Sequence, residues 1–109
     1  MPKFLLQVTF NQEAAKRLIE EGGTKRAAAV QELLKQQEAR LESLYFSPQN
    51  EGPDAFAIVE VPVGGGDILG AIALAGRTGG ITLTARRIFN PEELDKLAAK
   101  SKSIPVPGK

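Results

Sequence analysis

The 109-residue chain contains no cysteine, no histidine and no tryptophan, and it has one tyrosine and one methionine. Without cysteine there is no disulfide, no thiol nucleophile and no thiolate metal site. Without histidine the commonest general base and the commonest metal ligand are both missing, and no residue pattern implies a metal or a cofactor. Any catalysis would have to rest on carboxylates, Lys, Arg, the single Tyr, hydroxyls or backbone groups. Net charge is also scarce: 14 Lys and Arg oppose 13 Asp and Glu, a formal charge of +1. That is too little for a general polyanion binder, and the strands lack paired aromatics that would stack bases, so nucleic acid is not an expected partner. No apolar run approaches the ~20 residues that cross a bilayer. The opening MPKFLLQVTF has one Lys and a short apolar stretch, and Asn11, Gln12 and Glu13 follow at once. It reads as a strand rather than a signal peptide, so no membrane is expected and the cytoplasm is the expected compartment.

What is present suits one domain. Residues 1–100 form the expected domain, and 101–109, with two prolines and two lysines, read as a mobile tail. A domain of this size buries well under three quarters of its unfolded surface, so association would add to its stability.

Along the chain, Phe4, Leu6, Val8 and Phe10 alternate with Leu5, Gln7 and Thr9, which predicts a first strand over 3–10. Asn11 is a candidate N-cap for a helix carrying Ala14, Ala15, Leu18 and Ile19. Gly22-Gly23 breaks it, Thr24 offers a fresh cap, and Ala27, Val30, Leu33, Leu34 and Leu41 resume helical spacing. Residues 39–46 read as the second strand, with Leu41, Ser43 and Tyr45 on one face and Arg40, Glu42, Leu44 and Phe46 on the other. SPQNEGPD is a loop, and 55–62 read as a hairpin partner of the second strand. After Gly64-Gly65-Gly66, Asp67 is a candidate cap for a helix over 68–75, closed by Gly76 and apolar enough to be buried on more than one side. ITLTARRIF makes the fourth strand. Asn90-Pro91-Glu92-Glu93 then opens a last helix reaching about Lys100, with an N-cap, a proline at the first helical position and Glu at the third.

The order predicts an α+β, ferredoxin-like β-α-β-β-α-β domain with a C-terminal helix, four antiparallel strands being covered by helices on one face. The other face would carry Leu5, Gln7 and Thr9, Phe56, Ile58 and Glu60, and one register of the fourth strand. It is too apolar to stay wet in full, and face-to-face pairing of two sheets is the simple remedy. A ligand site could then lie between sheet and helices.

Six residues are candidates for a pocket. Asp54, at the entry to the third strand, is a possible base or ligand anchor, or simply an Asx turn after proline. Tyr45 could donate to a ligand in the sheet interior, or be a core aromatic. Arg26 follows Gly22-Gly23-Thr24 at a helix start, where an anion could bind, although the sequence has neither a P-loop nor a dinucleotide glycine pattern and a kink between two helices explains it as well. Gly64-Gly65-Gly66-Asp67 reads as a turn, because Asp67 would take the anion's place. One of Arg86 and Arg87 should point inward and need an acid such as Glu60; a rim salt bridge is the alternative. Gln7 and Thr9 could line a pocket or hydrogen-bond across a dimer.

The opening PKFLLQVTFNQEAAKRLIEEGGTKRAAAV and the strand LESLYF resemble the GYD-domain family, small bacterial proteins of dimeric α/β-barrel type, over residues 2–98. Where that family carries Gly-Tyr-Asp, this chain reads Gly52-Pro53-Asp54, so no role of the tyrosine carries over. The resemblance implies a ferredoxin-like fold and a homodimer or higher oligomer, and the family has no established general activity to lend. The expected function is an oligomeric small-molecule-binding or regulatory module taking a small organic or anionic ligand. A cofactor-free enzyme of monooxygenase or isomerase type is the alternative, and it requires Tyr45, Asp54 or an inward Arg86 to converge on one cavity.

Overall fold

The computed structural model describes residues 1–49 and 51–108; Asn50 of the loop and Lys109 of the tail lie outside the described residues. Four strands and four helices follow in the order β1 (Lys3–Phe10), α1 (Gln12–Glu21), α2 (Gly23–Gln36), β2 (Arg40–Phe46), β3 (Ala55–Glu60), α3 (Gly66–Thr78), β4 (Ile81–Ile88) and α4 (Pro91–Ser101). The strands form one sheet of order β2-β3-β1-β4, and its three pairings are antiparallel. This is an α+β domain compatible with the expected ferredoxin-like fold.

Register decides which residues face the helices, because residues directly opposite each other in an antiparallel pair share a face. Leu6 stands between Ala57 and Ala85, and Val8 between Ala55 and Leu83. The helix-facing set therefore runs Phe4, Leu6, Val8, Phe10 on β1 and Ala55, Ala57, Val59 on β3. Val59 and Val61 are fully buried, and with Leu6, Leu34, Ala39, Ala57 and Leu69 they form the core.

Strand β2 departs from simple alternation. Its register on β3 slips between Leu41 and Ser43: Leu41 opposes Val59, Leu44 opposes Ala57, and Tyr45 opposes Phe56. The bulge puts Leu41, Leu44 and Phe46 on the helix side and sends Arg40, Ser43 and Tyr45 to the other. Strict alternation would have split Leu41 from Leu44; one extra residue lets both reach the core. Leu41 thus belongs to β2 and not to the helical pattern of α2.

The helix boundaries correct three expectations. Asn11 caps α1 as expected, its side chain accepting from the Ala14 N–H at 2.9 Å. The start of α2, however, is Gly23, with Gly22 at φ 82 and no side-chain cap; Thr24 lies inside the helix. Likewise α3 begins at Gly66 behind Gly65, Asp67 sits in its first turn without capping it, and the helix runs through Gly76 to Thr78. In addition, α3 is not buried on several sides. Only Leu69 is buried, and Leu74 is 68% exposed.

The end of α2 is made by Glu38, a non-glycine residue at φ 59. Its N–H donates to Lys35 O at 3.0 Å, and the next N–H, of Ala39, donates to Leu34 O at 2.9 Å. These two bonds close the helix in the manner usually given to glycine. Glu38→Gly is therefore expected to stabilise the fold by about 1 kcal/mol, the left-handed strain relieved exceeding the added freedom of the unfolded chain. Urea denaturation checks it; an unchanged or lower midpoint contradicts the account.

Asn90 and Glu93 form the expected reciprocal cap of α4: the Glu93 N–H donates to Asn90 Oδ1 at 2.7 Å and the Asn90 N–H to Glu93 Oε1 at 3.0 Å. Although α4 is well started, it is not packed into the helix layer. Here α2 lies on β2 and α3 on β4. The radius of gyration is 16.5 Å, against roughly 13 Å for a compact chain of this length. Leu94 and Leu97 on α4 are 58% and 40% exposed.

Candidate functional site

The space between α2 and α3 is a cavity of about 510 Å³ floored by the sheet. From α2 come Arg26, Val30, Leu33 and Leu34, and from its C-cap Gln37, along one helical stripe. From α3 come Ile68, Ala71, Ile72, Ala75 and Gly76. Leu6, Val8 and Phe10 of β1 lie beneath, with helix-facing residues of the other three strands around them. The physical origin of the space is residue size. The α3 stripe is mostly alanine and glycine, and β3 contributes Ala55 and Ala57 to the floor. Neither surface can fill the volume that two helices of larger side chains would close.

Apart from Arg26 and Gln37, the side chains of this wall are apolar. From Arg26 to the end of α2 at Gln36 the helix runs eleven residues, about 16 Å, with Gln37 just beyond at the cap. Arg26 is held in the first turn of α2, and its side chain is 19% exposed. One Nη donates to Glu21 Oε2 at 3.3 Å, a long contact for a charged pair. Its Nε is buried with no hydrogen-bond partner. A buried donor left unpaired costs roughly 1–3 kcal/mol, so this atom is a standing demand for an acceptor.

The other sequence candidates lie elsewhere. Asp54 serves the backbone: Phe10 N–H donates to its Oδ2 at 2.8 Å, its own N–H donates to Val8 O at 2.8 Å, and its carbonyl accepts from Ser47 N–H at 2.7 Å. It thereby ties the loop before β3 to the end of β1. Tyr45 is 72% exposed on the sheet face away from the helices, neither lining the cavity nor packing in the core. Gln7 and Arg86 share that face; Gln7 opposes Thr84 and Arg86 opposes Leu5. Thr9 opposes Thr82, and both border a second, smaller cleft of about 260 Å³ with Asn11 and Arg77. Of the six candidates only Arg26 reaches the main cavity. Asp54, Tyr45 and Arg86 do not converge.

Arg87, opposite Phe4, is the arginine that turns to the helix side. It lies 4.3 Å from the Phe89 ring centroid and 6.0 Å from that of Phe4, and its Nη donates to Glu93 at 3.1 Å. The bonds from the Asn90 backbone and from Arg87 hold the Glu93 carboxyl below its ordinary range. Arg87 is thus the post from which α4 departs. Its acid is Glu93 and not Glu60.

Glu60 sits on the open sheet face in a surface network. Arg40 donates to it at 2.6 Å, and Lys3 lies 3.9 Å away while donating to Glu42 at 2.8 Å. The hydrogen bond from Arg40 keeps Glu60 below the usual carboxylate range, and Glu42 raises Lys3. Beside this network Leu5, Phe56 and Ile58 are half-buried, and no helix covers them.

Among the described residues no group of acidic side chains could hold a metal ion, and no helix is long and apolar enough to cross a membrane. Comparison with known proteins finds no matching family model, no matching curated protein and no matching solved structure.

The sequence reading anticipated space between sheet and helices but named only Arg26 among the residues that line it. The available signal was the run of small residues on α3, read there as a sign of burial.

Proposed function

We propose that this chain is a GYD-like, oligomeric small-molecule-binding module that takes an apolar organic ligand into the cavity between sheet and helices. The observation that carries this reading is the cavity itself. About 510 Å³ falls within the roughly 300–1,000 Å³ of ordinary ligand sites, and its wall is aliphatic with two polar side chains. The strand order supports the resemblance to the GYD-domain family, and the dimeric α/β-barrel type supplies the quaternary half of the proposal. Two copies would pair through the open sheet face, covering Leu5, Phe56 and Ile58.

Binding is favoured over a cofactor-free reaction by the chemistry of the wall. It contributes no carboxylate, hydroxyl or phenol that could take a proton from a bound molecule.

Nile red, a neutral dye that brightens in apolar surroundings, tests the pocket. It is expected to bind the wild type and to lose at least tenfold in affinity to Ala75→Phe, which places a ring in the cavity from its α3 wall. No binding, or equal binding to the variant, overturns the proposal. Light scattering behind size exclusion tests the oligomer: twice the monomer mass is expected for the wild type and the monomer mass for Ile58→Lys. A monomeric wild type removes the sheet-pairing half.

A further inference from the structure

Among the described residues the main cavity has one charged residue in its wall, and that residue has an unused donor. From this we infer that the ligand class is an amphiphilic carboxylate, an aliphatic chain ended by a carboxyl group, with the carboxylate on Arg26 and the chain along the α2–α3 groove. The inference rests on the proposed binding function and adds the chemistry of the ligand to it.

Three observations converge. First, Arg26 is at one end of the α2 stripe, so a molecule anchored there has a continuous apolar path past Val30 and Leu33, over Leu6 and Val8. That path is about 16 Å long, counted as eleven residues of helix, which suits an extended chain better than a compact ring. Second, Arg26 Nε is buried without an acceptor while one Nη holds Glu21 only at 3.3 Å. A carboxylate accepts from guanidinium N–H groups in a planar, two-point fashion that no neutral head group matches. A carboxylate in the cavity would compete with Glu21 for the Nη edge and, with a turn of the Arg26 side chain, accept from Nε as well. Third, the wall contains no acid that would repel an anion, and none of its other residues is charged. A cationic amphiphile would meet Arg26 with like charge in a site poorly screened by water.

The ordering of α2 fits the assignment. The helix begins without a side-chain cap, and no acidic residue lies in its first turn. Arg26 itself is in that turn, so an anion beside it would also meet the positive end of the helix. The buried Nε and the cavity carry the argument, and the helix end only adds to it.

The experiment compares decanoate, decanol and decyltrimethylammonium as competitors of Nile red on the full chain, at a pH where decanoate is ionised. On the wild type decanoate is expected to bind about tenfold to a hundredfold more tightly than decanol, the range for one charge-assisted contact in a partly desolvated site. The ammonium compound is expected to be weakest. In Arg26→Gln the advantage of decanoate should vanish, decanoate losing at least tenfold more affinity than decanol. Arg26→Lys, which keeps the charge and loses the fork, should retain part of it. Equal binding of decanoate and decanol to the wild type overturns the inference and leaves the apolar pocket standing. So does an equal loss of both in Arg26→Gln, since Arg26 then shapes the cavity without reading the head group. If neither Nile red nor decanol binds at all, the pocket reading fails and the inference falls with it.

Discussion

Gly80→Ala is expected to destabilise the protein by about 2–4 kcal/mol, the sum of a left-handed backbone penalty and a lost helix cap. Gly80 has φ 79, and a Cβ placed on it would run into the side-chain amide of Asn11. Asn11 cannot yield without cost. Its Oδ1 accepts from the Ala14 N–H, and its own N–H donates to Gly80 O at 2.8 Å. One side chain thus caps α1 while its backbone closes the turn into β4, and both depend on glycine at position 80. Urea titration should show the loss as a drop in midpoint with little change in slope. A double-mutant cycle sharpens the test. Asn11→Ala alone should cost about 1 kcal/mol, and in the Gly80→Ala background close to nothing, because the cap is already displaced. Fully additive effects, or a Gly80→Ala variant within about 0.5 kcal/mol of wild type, would contradict this account.

Leu34→Ala is expected to cost about 3 kcal/mol, within the roughly 2–5 kcal/mol range for truncating a buried leucine. Leu34 is 3% exposed and is the one buried residue of α2. It joins the core under the helix, with the partly buried Val30 packed beside it. The neighbouring Leu33 is 42% exposed and borders the same cavity. Its truncation should cost less than about 1 kcal/mol in stability while weakening Nile red binding. The pair separates the two duties of the α2 stripe: Leu34 holds the helix down, and Leu33 offers surface to a guest. Similar stability losses for both variants, measured by urea titration, would show that the cavity is closed in solution.

Much of the fold was legible because the deciding signals are local. The alternation of KFLLQVTF needs only the period of two of a strand, and Asn90-Pro91-Glu92-Glu93 needs only the geometry of a first helical turn. Both appear in the structure where the pattern puts them. The faces of β2 were not legible. The slip between Leu41 and Ser43 arises from packing on β3, and no residue type in RLESLYF marks it. That slip carried Tyr45 out of the expected interior. The C-terminal turn of α2 was hidden for a related reason: Glu38 takes a conformation that glycine normally signals.

The candidate site shows the same division. Arg26 was noticed for its place after two glycines, and that reading concerned a helix end. Its neighbours in the cavity, Gln37 apart, are apolar residues from six different elements, and no spacing in the chain relates Val30 to Ile72 or Leu6. Asp54 looked chemical because it is a carboxylate beside a strand; its contacts are backbone N–H and C=O groups brought from β1 and from the loop after β2.

By itself, then, the sequence determined the element order, the caps at Asn11 and Asn90, and the exclusion of thiol and imidazole chemistry, because each follows from residue identity or from neighbours within one turn. Only the tertiary structure decided that Arg87 and not Arg86 faces the helices, that Tyr45 faces outward, and that α2 and α3 stand apart over a floor that includes Ala55 and Ala57. Each of these depends on register or on the volume left between distant segments, and a linear pattern does not contain either quantity.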